Sequence, residues 1–272
     1  MREIFTMWKD TRMIMLTAVS AAIYAAVLIP FKVFTILPGL TSVRPANVIP
    51  VVFGILFGPA AAWGAAIGNL IGDVFGGTLG PGSLFGFVGN FFFAFAAYKL
   101  WGNLGPLSSG HEPDMREDTV RQIVEYAVIA ITSSVLCAVI IGWGVEVFKL
   151  LPFSVIATII VVNNSLASVV LGPPLLYLIY PRIKDMGLLY PDVMDRADLP
   201  MGGSARQVPI AWGIVAVTIL WLVVGLALSR VFGVPVGQGR SMSLVALGVV
   251  GFVLTVALSW LSAARLPDLL RS

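Results

Sequence analysis

The feature that most constrains this chain is a succession of apolar blocks, each about as long as a bilayer is thick. Met13–Ile29, Leu84–Trp101, Ile123–Val147, Phe153–Tyr180, Val208–Phe232 and Leu244–Ala264 all qualify or come close, given that a spanning helix needs about 20 apolar residues. Hydrocarbon offers no water to an unpaired amide, so such blocks are expected as helices. Only 11% of residues are charged, against about 25% in soluble domains, and they gather between the blocks. The expectation is an all-α integral membrane protein. A net charge of +3 then reflects basic flanks at the membrane surface. No basic patch is interleaved with aromatic residues, so no nucleic-acid partner is expected.

The first block is longer than a signal-peptide core of about 7–15 residues, and no small-residue cleavage site follows it, so it reads as a retained span. A single cysteine, Cys137, excludes an intramolecular disulfide and suits a packing role. A single histidine, His111, in the polar segment SSGHEPDMRED excludes a multi-histidine metal site. No P-loop, HExxH or GxSxG motif is present. The chain is therefore not a P-loop ATPase by itself, and no cofactor or metal is expected.

Asn47 to Phe75 is too long for one ordinary span, about 43 Å at 1.5 Å per residue. Gly58-Pro59 interrupts it, and proline disfavours a helical residue before it and removes a backbone donor. Splitting the segment into Asn47–Phe57 and Ala60–Phe75 predicts eight membrane helices, one too short to span without other protein around it. The distribution of Lys and Arg separates this topology only narrowly from the one-helix alternative. Polar depth decides for the split, because it brings Arg44, Asn47, Asn69, Asp73, Asn90, Glu146, Asn163 and Asn164 to the outer half to middle of the bilayer.

Each of these polar groups is costly in hydrocarbon, which makes it a functional candidate. Asn69 and Asp73, four apart, share one helix face, while Gly64, Gly68, Gly72 and Gly76 form a small-residue ridge for close packing. Asp73 reads either as a cap for the TLGPGS turn or as a ligand contact or Arg44 partner. Pro45 should hold Arg44 extended, and Asn47 should cap the short helix. Asn90 stands in a run of phenylalanines (Phe85, Phe87, Phe91, Phe92, Phe93, Phe95) that reads either as a surface for lipid and neighbouring helices or, around one amide, as a grip on a planar polar ring. Asn163 and Asn164 should line a cavity or pair inside the bundle. On this reading Asn90, Asn163 and Asn164 bond a ligand, Phe91 or Trp143 stacks on it, and Asp73 or Glu146 meets a ligand amine or Arg44. Two other readings remain: an enzyme using Asp73 and Glu146 as acid and base, and a scaffold without ligand. Ala18, Ala22 and Ala26 repeat at the same spacing on the first helix, as packing or as a docking face.

VRPANVIPVVFGILFGPAAAWGAAIGNLIGD resembles the heart of the substrate-binding S components of energy-coupling factor (ECF) transporters. Matching features are the alanine-spaced first helix, Arg44 in an entrance loop, Pro50 in a short helix, the Phe57-Gly58-Pro59 turn, and Asn69/Asp73. The overall layout resembles the queuosine-precursor and folate branches. The resemblance implies a six-helix core over 13–185, both termini cytoplasmic and a pocket open to the outside. It implies a vitamin-like or heteroaromatic small-molecule substrate, a membrane coupling subunit and two cytoplasmic ATPases as partners. Ala18, Ala22 and Ala26 would dock the coupling subunit, and Arg44 would belong to the gating loop. Around that core lie a cytoplasmic N-terminus (1–12), a polar cytoplasmic linker (186–207), two additional transmembrane helices (208–264) that the six-helix pattern lacks, and a cytoplasmic tail (265–272).

Overall fold

The computed structural model describes residues 1–31, 34–37, 41–42, 44–195, 197–199, 204–232 and 241–270. Parts of the expected linker and tail (196, 200–203, 271–272) thus lie outside the described residues. The helices, in chain order, are α1 (Glu3–Thr6), α2 (Thr11–Phe31), α3 (Val48–Phe57), α4 (Pro59–Phe75), α5 (Gly82–Leu100), α6 (Thr119–Val147), α7 (Phe153–Asp185), α8 (Tyr190–Val193), α9 (Ser204–Phe232), α10 (Met242–Leu261) and α11 (Leu266–Leu269). A two-stranded antiparallel ribbon, β1 (Thr35–Leu37) with β2 (Thr41–Ser42), follows α2. Six helical segments among the described residues are long and apolar enough to cross a membrane. The protein is a multi-pass helical membrane bundle.

The break between α3 and α4 falls where the sequence places it. Gly58 takes φ +55° and ψ −124°, a region closed to residues with a Cβ. An added Cβ would meet the rings of Tyr190 and Tyr98 at 3.0 and 3.1 Å. Pro59 then opens α4, where its missing donor costs nothing. Every residue of α3 is buried, which explains how so short a helix survives among spans. Its Gly54 lies so close to α5 that a Cβ would fall 2.3 Å from the Ala94 carbonyl oxygen.

The α4 glycine ridge is a packing surface. A Cβ at Gly64 would sit 2.5 Å from Ser20, and one at Gly68 2.8 Å from the Ala21 carbonyl oxygen, so α2 and α4 nearly touch backbones. This buries one face of α2, including Leu16, Ser20, Tyr24 and Leu28, and leaves Ala18, Ala22 and Ala26 exposed beside Ile14, Val19, Ile23 and Val27.

The two C-terminal helices are part of the same bundle. Trp143 of α6 fills a notch at Gly248 of α10, and Trp221 of α9 fills one at Gly251. Trp143 also stacks on Phe252 at 6.1 Å. At the end of the bundle holding Gly58, Lys99 is fully buried, pairs with Glu3 at 2.6 Å and donates to the Ser262 carbonyl at 2.8 Å. Asn103 donates to the Ala263 carbonyl, and Gln207 accepts from the Ala263 amide. One polar knot thus ties α1, α5, α9 and the segment after α10.

Candidate ligand-binding site

At the opposite end, the C-terminus of α4, the N-termini of α5 and α7 and the C-terminal half of α6 converge on a cavity of ≈ 260 Å³. Its polar wall is Arg44, Asn69, Asp73, Asn90 and Asn164; its apolar wall includes Ile141, Val145, Ile156 and Ile160. Residues 77–83, the turn between α4 and α5, line it too.

Local chain geometry places each polar group. Arg44 is held extended before Pro45, with φ −131° and ψ 72°. Its Nη1 donates to Asn69 Oδ1 at 3.2 Å, and its backbone amide donates to Asn163 Oδ1 at 3.2 Å. Asn69 passes a bond to its i+4 neighbour, Nδ2 donating to Asp73 Oδ2 at 3.3 Å. Thr78 donates to the other Asp73 oxygen at 3.2 Å, tying the turn down. The Arg44–Asn69 bond brings the entry to α3 and the exit of α4 to one end of the molecule, which a single long helix could not do.

Beneath this layer runs a buried amide network. Tyr24 of α2 places its hydroxyl 2.8 Å from Asn47 Oδ1 and 3.0 Å from Asn90 Oδ1. Asn90 Nδ2 donates to the Gly86 carbonyl at 2.8 Å. Asn47 Nδ2 donates to Asn164 Oδ1, and Ser168 Oγ donates to the Asn47 carbonyl at 2.9 Å.

Of the expected site residues, Arg44, Asn69, Asp73, Asn90 and Asn164 come together on the cavity wall. Asn47 stands one layer behind, and its side chain does not cap α3 as expected but joins the network. Asn163 supports Arg44 from outside the lining. Three candidates face elsewhere. Phe91 lies about 100° around α5 from Asn90 and packs on Trp63 and Phe95. Trp143 is occupied by α9 and α10. Glu146 is buried and accepts the Phe153 amide at 2.8 Å, satisfying a donor at the start of α7. Sequence reasoning missed Tyr24 and the cavity position of Cys137. A lone tyrosine on the face of α2 opposite the alanines was the available signal for the former.

The sequence pattern of one family, described as QueT transporter, matches residues 14–181. No curated protein and no solved structure matches. The matched region runs from the first turn of α2 to near the end of α7, holds every cavity-lining group, and leaves out α9 and α10. It covers more than half of the chain, which therefore belongs to the QueT transporter family of membrane-embedded S components of ECF transporters.

Proposed function

We propose that the protein captures a small, vitamin-like or heteroaromatic nutrient from outside the cell and delivers it inward. A membrane coupling subunit and two cytoplasmic ATPases would supply the motion and the energy. The observation that carries this reading is the cavity, whose ≈ 260 Å³ suits a molecule of one or two rings. Its walls combine aliphatic side chains for ring faces with amides, a guanidinium and a carboxylate for ring edges, the usual make-up of a small-molecule site. Arg44 Nε is buried without a partner among the described residues, so a donor stands ready for a ligand acceptor. Asp73 suits a ligand amine.

In this reading both termini are cytoplasmic and the cavity opens outward beneath Arg44 and the 77–83 turn. The exposed stripe of Ala18, Ala22 and Ala26 lets a partner helix approach closely, which supports it as the docking face for the coupling subunit. An enzyme using Asp73 and Glu146 is disfavoured, because Glu146 is spent on the Phe153 amide and does not line the cavity. A scaffold without ligand is disfavoured by the cavity itself.

The test is mass spectrometry of what the purified protein releases on denaturation. A small molecule with ring nitrogen or carbonyl groups, lost from the Arg44→Ala and Asn164→Ala variants, is the expected result. Release of nothing from a folded protein, under any nutrient supply, overturns the proposal.

A further inference from the structure

Tyr24 is completely buried, and its hydroxyl faces two amide oxygens, those of Asn47 and Asn90. A hydroxyl carries one hydrogen and can also accept through its oxygen. It therefore satisfies one of those oxygens at a time. Asn90 cannot turn to help, because its Nδ2 donates to the Gly86 carbonyl, which only accepts. Asn47 can. Apart from Tyr24, its side chain bonds only Asn164 among the described residues, and that bond is equally good with both amides turned over. Ser168 holds the Asn47 backbone meanwhile. Alongside Asn164, Cys137 stands in the wall of the same cavity. A thiol is both a weak donor and a weak acceptor, so it matches either amide face.

We propose that Tyr24 is a positioning residue that switches the cavity floor between two hydrogen-bond polarities. With its hydrogen on Asn47, that amide donates to Asn164. Asn164 then turns its NH₂ toward Cys137 and the cavity, and Asn90 Oδ1 is left for an outside donor. With its hydrogen on Asn90, the Asn47 amide turns over, donates to the Tyr24 oxygen and accepts from Asn164. Asn164 then presents its oxygen and takes the Cys137 hydrogen. No covalent bond changes in either direction. The second arrangement satisfies every group internally, so it belongs to the empty cavity. The first offers one acceptor and one donor, so it belongs to a cavity holding a molecule with an N–H and a carbonyl or ring nitrogen. The use of the switch rests on the transport reading; its existence does not.

Cys137 is the only cysteine, so its S–H stretching band reads the arrangement without any ligand. In infrared spectra of protein emptied of small molecules, the band is expected at a lowered, hydrogen-bonded frequency. Asn90→Leu removes the oxygen that draws the Tyr24 hydrogen, and the band should move to the free-thiol position. Tyr24→Phe keeps the ring but removes the pivot. Alone it should split the band, and combined with Asn90→Leu it should abolish the shift that Asn90→Leu causes. A wild-type band at the free-thiol position, or an Asn90→Leu shift that survives Tyr24→Phe, overturns the switch. If Asn90→Leu does not fold, an unchanged single band in Tyr24→Phe does the same. Such a failure leaves the transport reading standing, whereas a protein that never carries a small molecule removes that reading and leaves the switch intact.

Discussion

Replacing Gly58 by alanine tests the turn on which the cavity depends. The backbone there, φ +55° and ψ −124°, costs a residue with a Cβ about 1–3 kcal/mol. The new methyl also meets Tyr190 and Tyr98 at 3.0 and 3.1 Å, and both rings are fully buried. Overpacking of that kind costs about 1–3 kcal/mol more. The expected loss is therefore about 2–6 kcal/mol in sum. Gly77→Ala is the control, because Gly77 also has positive φ (+67°) but a Cβ there meets nothing within 4 Å. Thermal unfolding in detergent, followed by tryptophan fluorescence, should show Gly58→Ala falling well below Gly77→Ala. Equal midpoints for the two variants would refute the packing half of the reasoning. A Gly58→Ala midpoint equal to wild type would refute the turn itself.

Further outcomes follow from the polar knot and the cavity wall. Burial alone would push the Glu3 carboxyl up, but the Lys99 ammonium 2.6 Å away outweighs it and holds the group below its ordinary value of 4.5. The stability this gives is complete above pH 4.5 and is lost as pH falls through the lowered value. Glu3→Ala, which leaves Lys99 buried and unpaired, should cost about 3–5 kcal/mol at neutral pH, and this loss should shrink in acid; equal midpoints for the two proteins at neutral pH would contradict the pair. Arg44→Ala should weaken retention of any bound small molecule by tenfold or more, since a charged hydrogen bond contributes about 1.5–3 kcal/mol, and should also cost the empty protein about 1–3 kcal/mol of stability, because the buried Asn69 oxygen loses its donor. Trp143→Ala should act on stability alone: a loss of about 3–5 kcal/mol with unchanged ligand affinity, because its ring fills the notch at Gly248 rather than the cavity.

Much of this was legible because membranes punish exceptions. Gly58-Pro59 could not continue a helix, and Asn69, Asp73, Asn90 and Asn164 could not face lipid, so their convergence followed from spacing and depth. Phe91 was misassigned despite a readable signal, since adjacent helix positions diverge by about 100° and Asn90 already held the inward face. Trp143 and Glu146 could not be read in that way. The first is claimed by helices outside the family pattern, and the second by a backbone amide seven residues on, a capping role that apolar periodicity does not encode. Tyr24 was hidden by its neighbours, because an alanine-spaced helix draws attention to its small face and not to the one large polar group behind it.

The central claim is that the amide-lined cavity opens to the outside and is filled by what the protein carries. Cys137, buried in its wall, allows a direct measurement in oriented vesicles with a membrane-impermeant thiol reagent. The account predicts labelling from the external side in emptied protein, and strong protection once the molecule released by denaturation is added back. Labelling only from the cytoplasmic side, or labelling indifferent to that molecule, would contradict it.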